Sequence, residues 1–114
     1  MRIRVGTTKR VCIIEVAGRL TFGDADGRLC DEVARRIDAG ERRLVLDASR
    51  LSLIDSAGVG EIVATYQLAS ARGALIRVAL PSGGPIHRVF RVSGLDRALE
   101  IFEHRDEAIA SYLE

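Results

Sequence analysis

No stretch of this 114-residue sequence approaches the roughly 20 consecutive apolar residues that a bilayer-spanning helix needs. The opening segment, Met1-Arg2-Ile3-Arg4-Val5-Gly6, lacks the apolar core of a secretory signal, so the expected location is the cytoplasm. Neither sign of charge is in excess: 17 Lys and Arg stand against 16 Asp and Glu, for a net charge of +1. These charges are interspersed, and without a one-signed field neither nucleic acid nor an acidic membrane surface is indicated as a partner. Cysteine is scarce as well. Cys12 lies in a strand-like apolar run and Cys30 on the apolar face of a helical pattern, which predicts two buried, reduced thiols and no disulfide.

The motifs that carry common chemistries are missing too. There is no Gly-x-x-x-x-Gly-Lys-Ser/Thr phosphate loop, and Gly58-Val59-Gly60-Glu61-Ile62-Val63 lacks the third glycine of a dinucleotide fingerprint. Zinc needs clustered ligands, whereas Cys12, Cys30, His87 and His104 are scattered without paired spacing. Ser56 invites comparison with the nucleophile elbow of hydrolases, with His87 or His104 as base. That elbow requires Gly-x-Ser-x-Gly, because a small residue two positions before the serine permits the tight turn, and here that position is Ile54. The expectation is a protein without catalytic residues, cofactor or metal.

What is present is a core. Hydrophobic residues make up 47% of the chain, enough for one α/β domain over residues 1–114, and no repeats or linkers divide it. A short strand at Ile3 to Val5 and a longer one at Val11 to Ala17 come first. Leu29, Val33 and Ile37, with Cys30 and Ala34 beside them, form a helical stripe ending at Gly40. Leu44-Val45-Leu46 does not alternate, which suits a central strand covered on both faces. A second helix carries Val59, Ile62, Val63, Tyr66 and Ala69 and stops at Gly73. A strand over Ala74 to Leu80, a short helix with Ile86, Val89 and Phe90, a strand near Leu99 to Phe102 and a last helix with Ala108, Ile109, Tyr112 and Leu113 complete the chain. The order β-β-α-β-α-β-α-β-α predicts a mixed sheet of four to five strands with parallel pairs joined by helical crossovers.

The chemistry that remains is concentrated in Asp55-Ser56-Ala57-Gly58, where an apolar approach segment ends and a helix begins. Two readings share the same physics. Asp and Ser are preferred helix N-caps because a side-chain oxygen accepts a bond from an otherwise unpaired backbone N–H. A hydroxyl there also lies beside free N–H groups and the positive end of the helix dipole, so a phosphoryl group added to it would find favourable partners. Such a group brings about −1.5 to −2 charges at pH 7, enough to change how a surface pairs with another protein.

The chain also resembles a known family, the STAS domains of bacterial anti-sigma factor antagonists. Leu53-Ile54-Asp55-Ser56-Ala57-Gly58-Val59-Gly60 is similar to the family's Asp-Ser-Ser/Thr-Gly-Leu-Gly hallmark. Val16-Ala17-Gly18-Arg19-Leu20-Thr21 resembles its first strand ending in a Gly-x-Leu/Ile turn, and Leu44-Val45-Leu46-Asp47 its central strand. Ala71-Arg72-Gly73-Ala74-Leu75-Ile76-Arg77-Val78 resembles the Arg-Gly turn into the fourth strand, and Arg88-Val89-Phe90-Arg91-Val92-Ser93-Gly94-Leu95 the helix ending in a Ser/Thr-Gly-Leu turn.

The resemblance implies that Ser56 is phosphorylated by an anti-sigma factor that is also a serine kinase, with Asp55 orienting the serine and Ala57 and Gly58 completing the loop. Unphosphorylated protein would bind that partner and free a sigma factor. The interaction surface would join this loop to Val59 and Gly60 and to the turn holding Leu20, Thr21, Phe22 and Asp24. Leu20 and Phe22 can serve as exposed apolar anchors or as core. Thr21 stands where many antagonists carry an acid, and Asp24 and Asp26 are the nearest acids in sequence. Ala57 replaces the second hydroxyl residue. A second reading is a constitutive scaffold or accessory subunit, as in a stressosome-like or lipid-transport complex. The sequence leaves the oligomeric state open, a homodimer included.

Overall fold

The computed structural model describes residues 1–113. A five-stranded sheet runs in the order β1 (Arg2–Thr8), β2 (Val11–Leu20), β3 (Arg43–Ile54), β4 (Leu75–Ala79) and β5 (Glu100–Phe102). β1 pairs antiparallel with β2 through a two-residue turn at Lys9-Arg10, both at positive φ. Every other neighbouring pair is parallel, as crossovers through α1 (Arg28–Asp38), α2 (Ser56–Ala71) and the consecutive α3 (Pro85–Ser93) and α4 (Leu95–Ala98) require. β5 is followed by α5 (Arg105–Ser111).

The sheet sorts β3 by alternation. Leu44 and Leu46 face a core completed by Leu29, Val33 and Ile37 of α1, Ile62 and Ala69 of α2, Phe90 of α3 and Leu95 of α4. Val45 faces the other way, against Ala108 and Ile109 of α5 and Tyr112 just after it. β3 is thus covered on both sides, which is why its first half reads as an unbroken apolar run.

β3 extends through Ile54, well past the expected stop at Leu46. Its pairing with β2 slips between Glu15 and Ala17 and again between Gly18 and Arg19, so Ser49, Arg50, Ser52 and Leu53 point to solvent while Leu51 and Ile54 stay inside. These irregularities break the period-two signal that would have marked the strand. The helix α4 is a further addition to the expected order; it follows Gly94, whose φ of +84° turns the chain at the end of α3. Both cysteines are free, but Cys30 is only partly buried, a correction to the expected sealed thiol. Burial pushes the Cys12 thiol up to about 11 and raises that of Cys30, so neither is a thiolate at neutral pH.

α5 is fastened by an ion cluster on its side of the sheet. The Arg105 Nε donates to Asp47 Oδ2 at 2.8 Å, and its terminal nitrogen also reaches Glu15. Asp47 Oδ1 accepts from the Ser49 hydroxyl at 2.6 Å and the Ser49 N–H at 3.0 Å. Burial alone would raise the Asp47 carboxyl, but the bonds from Ser49 and Arg105 outweigh it and hold the group below its ordinary value. A depressed carboxylate stabilises the fold above its unfolded pKa, near 3.9, and loses that contribution as pH falls through the lower folded value. Asp47→Asn is therefore expected to lower stability at pH 7 by about 1–3 kcal/mol. The gap from wild type should narrow as the pH drops below about 4, checked by denaturant titrations at pH 7 and pH 3; an equal gap at both would contradict it.

Candidate functional site

The site is built where the C-terminal ends of β2 and β3 meet the first turn of α2. Parallel strands leave their carboxyl ends at one edge of the sheet, and loops gathered there carry function in open α/β folds. Asp55 is the N-cap of α2, in extended conformation, and its Oδ1 accepts from the Gly58 N–H at 3.0 Å. Its other oxygen, Oδ2, accepts from the Phe22 N–H at 2.9 Å. One carboxylate thereby ties the start of α2 to the turn after β2. The Phe22 N–H, followed by that of Gly58, holds the Asp55 carboxyl below the usual range.

Ser56 is the first residue of α2 and is exposed. The capping N–H of Gly58 is already taken by Asp55, so the helix start offers less free donor capacity than the sequence suggested. Ala57 is partly buried, Gly60 is exposed, and Val59 is half-buried on the side facing α3. Gly58 is buried for a specific reason: a Cβ on it would stand 2.1 Å from the Leu20 carbonyl oxygen. The glycine lets α2 lie directly on the backbone of β2.

The turn after β2 divides its residues sharply. Leu20 is fully buried and belongs to the core, which corrects its expected role as a surface anchor. Thr21 is also buried, at 8% exposure, so its side chain is withdrawn from the surface proposed for it. Its hydroxyl lies 3.3 Å from Asp24 Oδ2, which brings the partly exposed Asp24 beside the position where an acid was missing. Phe22, by contrast, is 88% exposed. An aromatic side chain left this open costs apolar hydration without any return from within the chain.

Next to Ser56 runs a groove of about 570 Å³ between α2 and α3, walled by Ile54, Val59, Val89 and Val92 with Asp55, Ser56, Arg88 and Ser93 at its edges. Val92 is 76% exposed. Among the described residues no histidine lines the groove, so neither His87 nor His104 stands there as a base for Ser56.

A family description, "STAS domain", matches residues 2–108. The chain belongs to the STAS domain family. An 82-residue stretch is 34% identical to a Bordetella bronchiseptica protein named "Putative anti-sigma factor antagonist BtrV", covering 71% of this chain and 69% of that protein. The fold is similar to that of an anti-sigma factor antagonist from Mycobacterium paratuberculosis, with a TM-score of 0.85 at 19% identity over 99% of this chain and 94% of that one. It is also similar to the Bacillus cell fate determinant SpoIIAA in its phosphorylated form, at a TM-score of 0.67 and 23% identity over 97% and 99% of the two chains.

Within this STAS domain, sequence reading missed Glu61. It lies on the buried face of α2, where its two carboxylate oxygens accept from the N–H groups of Gly27 at 3.0 Å and Cys30 at 3.1 Å. α1 has no side-chain cap of its own, because its N-cap residue is Gly27. Glu61 supplies that cap from the neighbouring helix, so the helix bearing Ser56 is locked to α1 as well as to β2. The available signal was an N-terminus at Gly27-Arg28 without Ser, Thr, Asn or Asp.

Proposed function

We propose that this protein is an anti-sigma factor antagonist switched by phosphorylation of Ser56. In its unphosphorylated form it binds an anti-sigma factor that is a serine kinase, releasing a sigma factor in the cytoplasm. The kinase transfers the γ-phosphoryl group of ATP to the Ser56 oxygen, whose proton is lost as ADP leaves, and the phosphorylated protein lets go. ATP and its metal ion are held by the kinase; this chain is the substrate.

The observation that carries this reading is the exposed Ser56 hydroxyl at the first position of α2, on a helix start made rigid by Asp55, Gly58 and Glu61. A rigid backbone presents the same hydroxyl geometry to a kinase each time. Around it lie the features of a protein contact: Phe22 as an exposed aromatic anchor, Val92 on the wall of the groove, the bare backbone of Gly60, and Asp24. Names of relatives as anti-sigma factor antagonists, and a structure of SpoIIAA in a phosphorylated form, support it by likeness.

The test pairs phosphorylation with binding. Incubation with the anti-sigma kinase encoded in the same genome and ATP should place one phosphoryl group, on Ser56, read by mass spectrometry. Ser56→Ala should block labelling and keep binding, and Ser56→Asp should weaken binding more than tenfold, about 1.4 kcal/mol. If Ser56→Asp binds as wild type and no phosphate is found, the protein is a constitutive scaffold and the switch is wrong.

A further inference from the structure

We infer that Arg88 is the internal counter-ion of a phosphoserine at position 56, an inference resting on the phosphorylation proposed above. Ser56 on α2 and Arg88 on α3 line the same groove, and among the described residues the charged side chains along it are those of Asp55 and Arg88. Asp55 is committed: its oxygens hold the Phe22 and Gly58 N–H groups. Arg88 is exposed, and its guanidinium makes no ion pair or side-chain hydrogen bond among the described residues. A phosphoryl group on Ser56 therefore meets a repelling carboxylate next to it in sequence and an uncommitted cation across the groove.

The walls sharpen that choice. Ile54, Val59, Val89 and Val92 are apolar, so charges at the groove edge are less well screened than on an open polar surface. The fork of a guanidinium matches phosphate oxygens and can hold two of them at once. Pairing of phosphoserine with Arg88 sets a polar bridge over the groove. What changes for a partner is then the closing of an apolar cleft as well as the arrival of negative charge.

The experiment installs phosphoserine at position 56 during synthesis, with an expanded genetic code, so that its outcome does not depend on any kinase. The titration of the phosphoserine is followed by ³¹P NMR in wild type, Arg88→Gln and Arg91→Gln. Arg91 is the control: it lies on the same helix, is exposed and shares with Arg88 the cleft beside Gly83, Gly84 and Pro85, but unlike Arg88 it does not line the groove at Ser56. Both substitutions are at the surface, so the fold is retained. The phosphate, with an ordinary second pKa near 6, should titrate about half a unit or more lower in wild type than in Arg88→Gln, while Arg91→Gln matches wild type. Identical titration of Arg88→Gln and wild type, or an equal rise in both variants, overturns the pairing. Failure of the kinase to modify Ser56 would instead sink the switch, and the two failures are read in separate experiments.

Discussion

Gly58→Ala is expected to destabilise the protein by about 2–4 kcal/mol, a large effect for one added methyl group. The new Cβ would lie 2.1 Å from the Leu20 carbonyl oxygen, 3.1 Å from the Leu20 carbonyl carbon and 2.8 Å from Ile54 Cγ1. Ile54 can move its side chain, but the Leu20 carbonyl is backbone at the end of a strand, and it accepts the Asp55 N–H at 3.4 Å. Relief requires α2 to lift away from β2. The Asp55 bond to the Phe22 N–H would go with it, since the carboxylate spans the same seam. Gly60→Ala should act in the opposite direction, because nothing lies within 4 Å of the place its methyl group would take and alanine favours a helix by up to about 1 kcal/mol over glycine. Urea titrations of the two variants, with hydrogen exchange at Phe22, check this; destabilisation of the same size in both would show that close packing is not what Gly58 provides.

That contrast separates what a sequence can reveal from what it cannot. Asp55-Ser56 at a helix start was legible because capping is local: an acidic side chain reaches the N–H three residues on, and this needs no knowledge of the rest of the chain. The order of strands and helices was legible for a related reason, since buried strands and amphipathic helices each leave their own apolar period. The Asp55 contact with the Phe22 N–H spans 33 residues, and no local pattern announces it. The same holds for Gly58. Its role depends on the carbonyl of Leu20, far earlier in the chain, and Gly58 and Gly60 look alike until the strand is in place.

In α2 the apolar period alone misleads. It assigns Val63 to the inner stripe, yet Val63 is exposed, while Glu61 and Thr65 are inside. A charged residue is a poor choice for a core unless a partner waits for it, and the partner here is the uncapped end of α1. Leu20 and Phe22 pose the reverse problem. Both are large and apolar and only two positions apart, yet one is sealed and the other open, because β2 ends at Leu20 and the turn beyond it no longer follows the pleat. The Lys9-Arg10 turn is equally silent, since two-residue hairpins usually declare themselves by Asn-Gly or Asp-Gly.

The burial of Glu61 leads to the second large effect. Glu61→Ala should cost about 2–4 kcal/mol, because the N–H groups of Gly27 and Cys30 lose their acceptors inside the protein and a cavity is left between α1 and α2. Glu61→Gln keeps the volume but not the chemistry: an amide has one oxygen to accept a bond and an NH₂ that would point at a second donor. One of the two N–H groups must go unsatisfied, so its cost should be smaller, about 1–2 kcal/mol. Thr65 reinforces the arrangement by donating its hydroxyl to the Glu61 carbonyl at 2.8 Å on this buried face of the helix. The ordering of the three proteins in urea, wild type above Gln above Ala, with faster amide exchange at Cys30 in both variants, is the expected result. Were Gln as stable as wild type, the paired carboxylate bonds would not be what secures α1, and the rigidity of the Ser56 helix would have to rest on its contact with β2 alone.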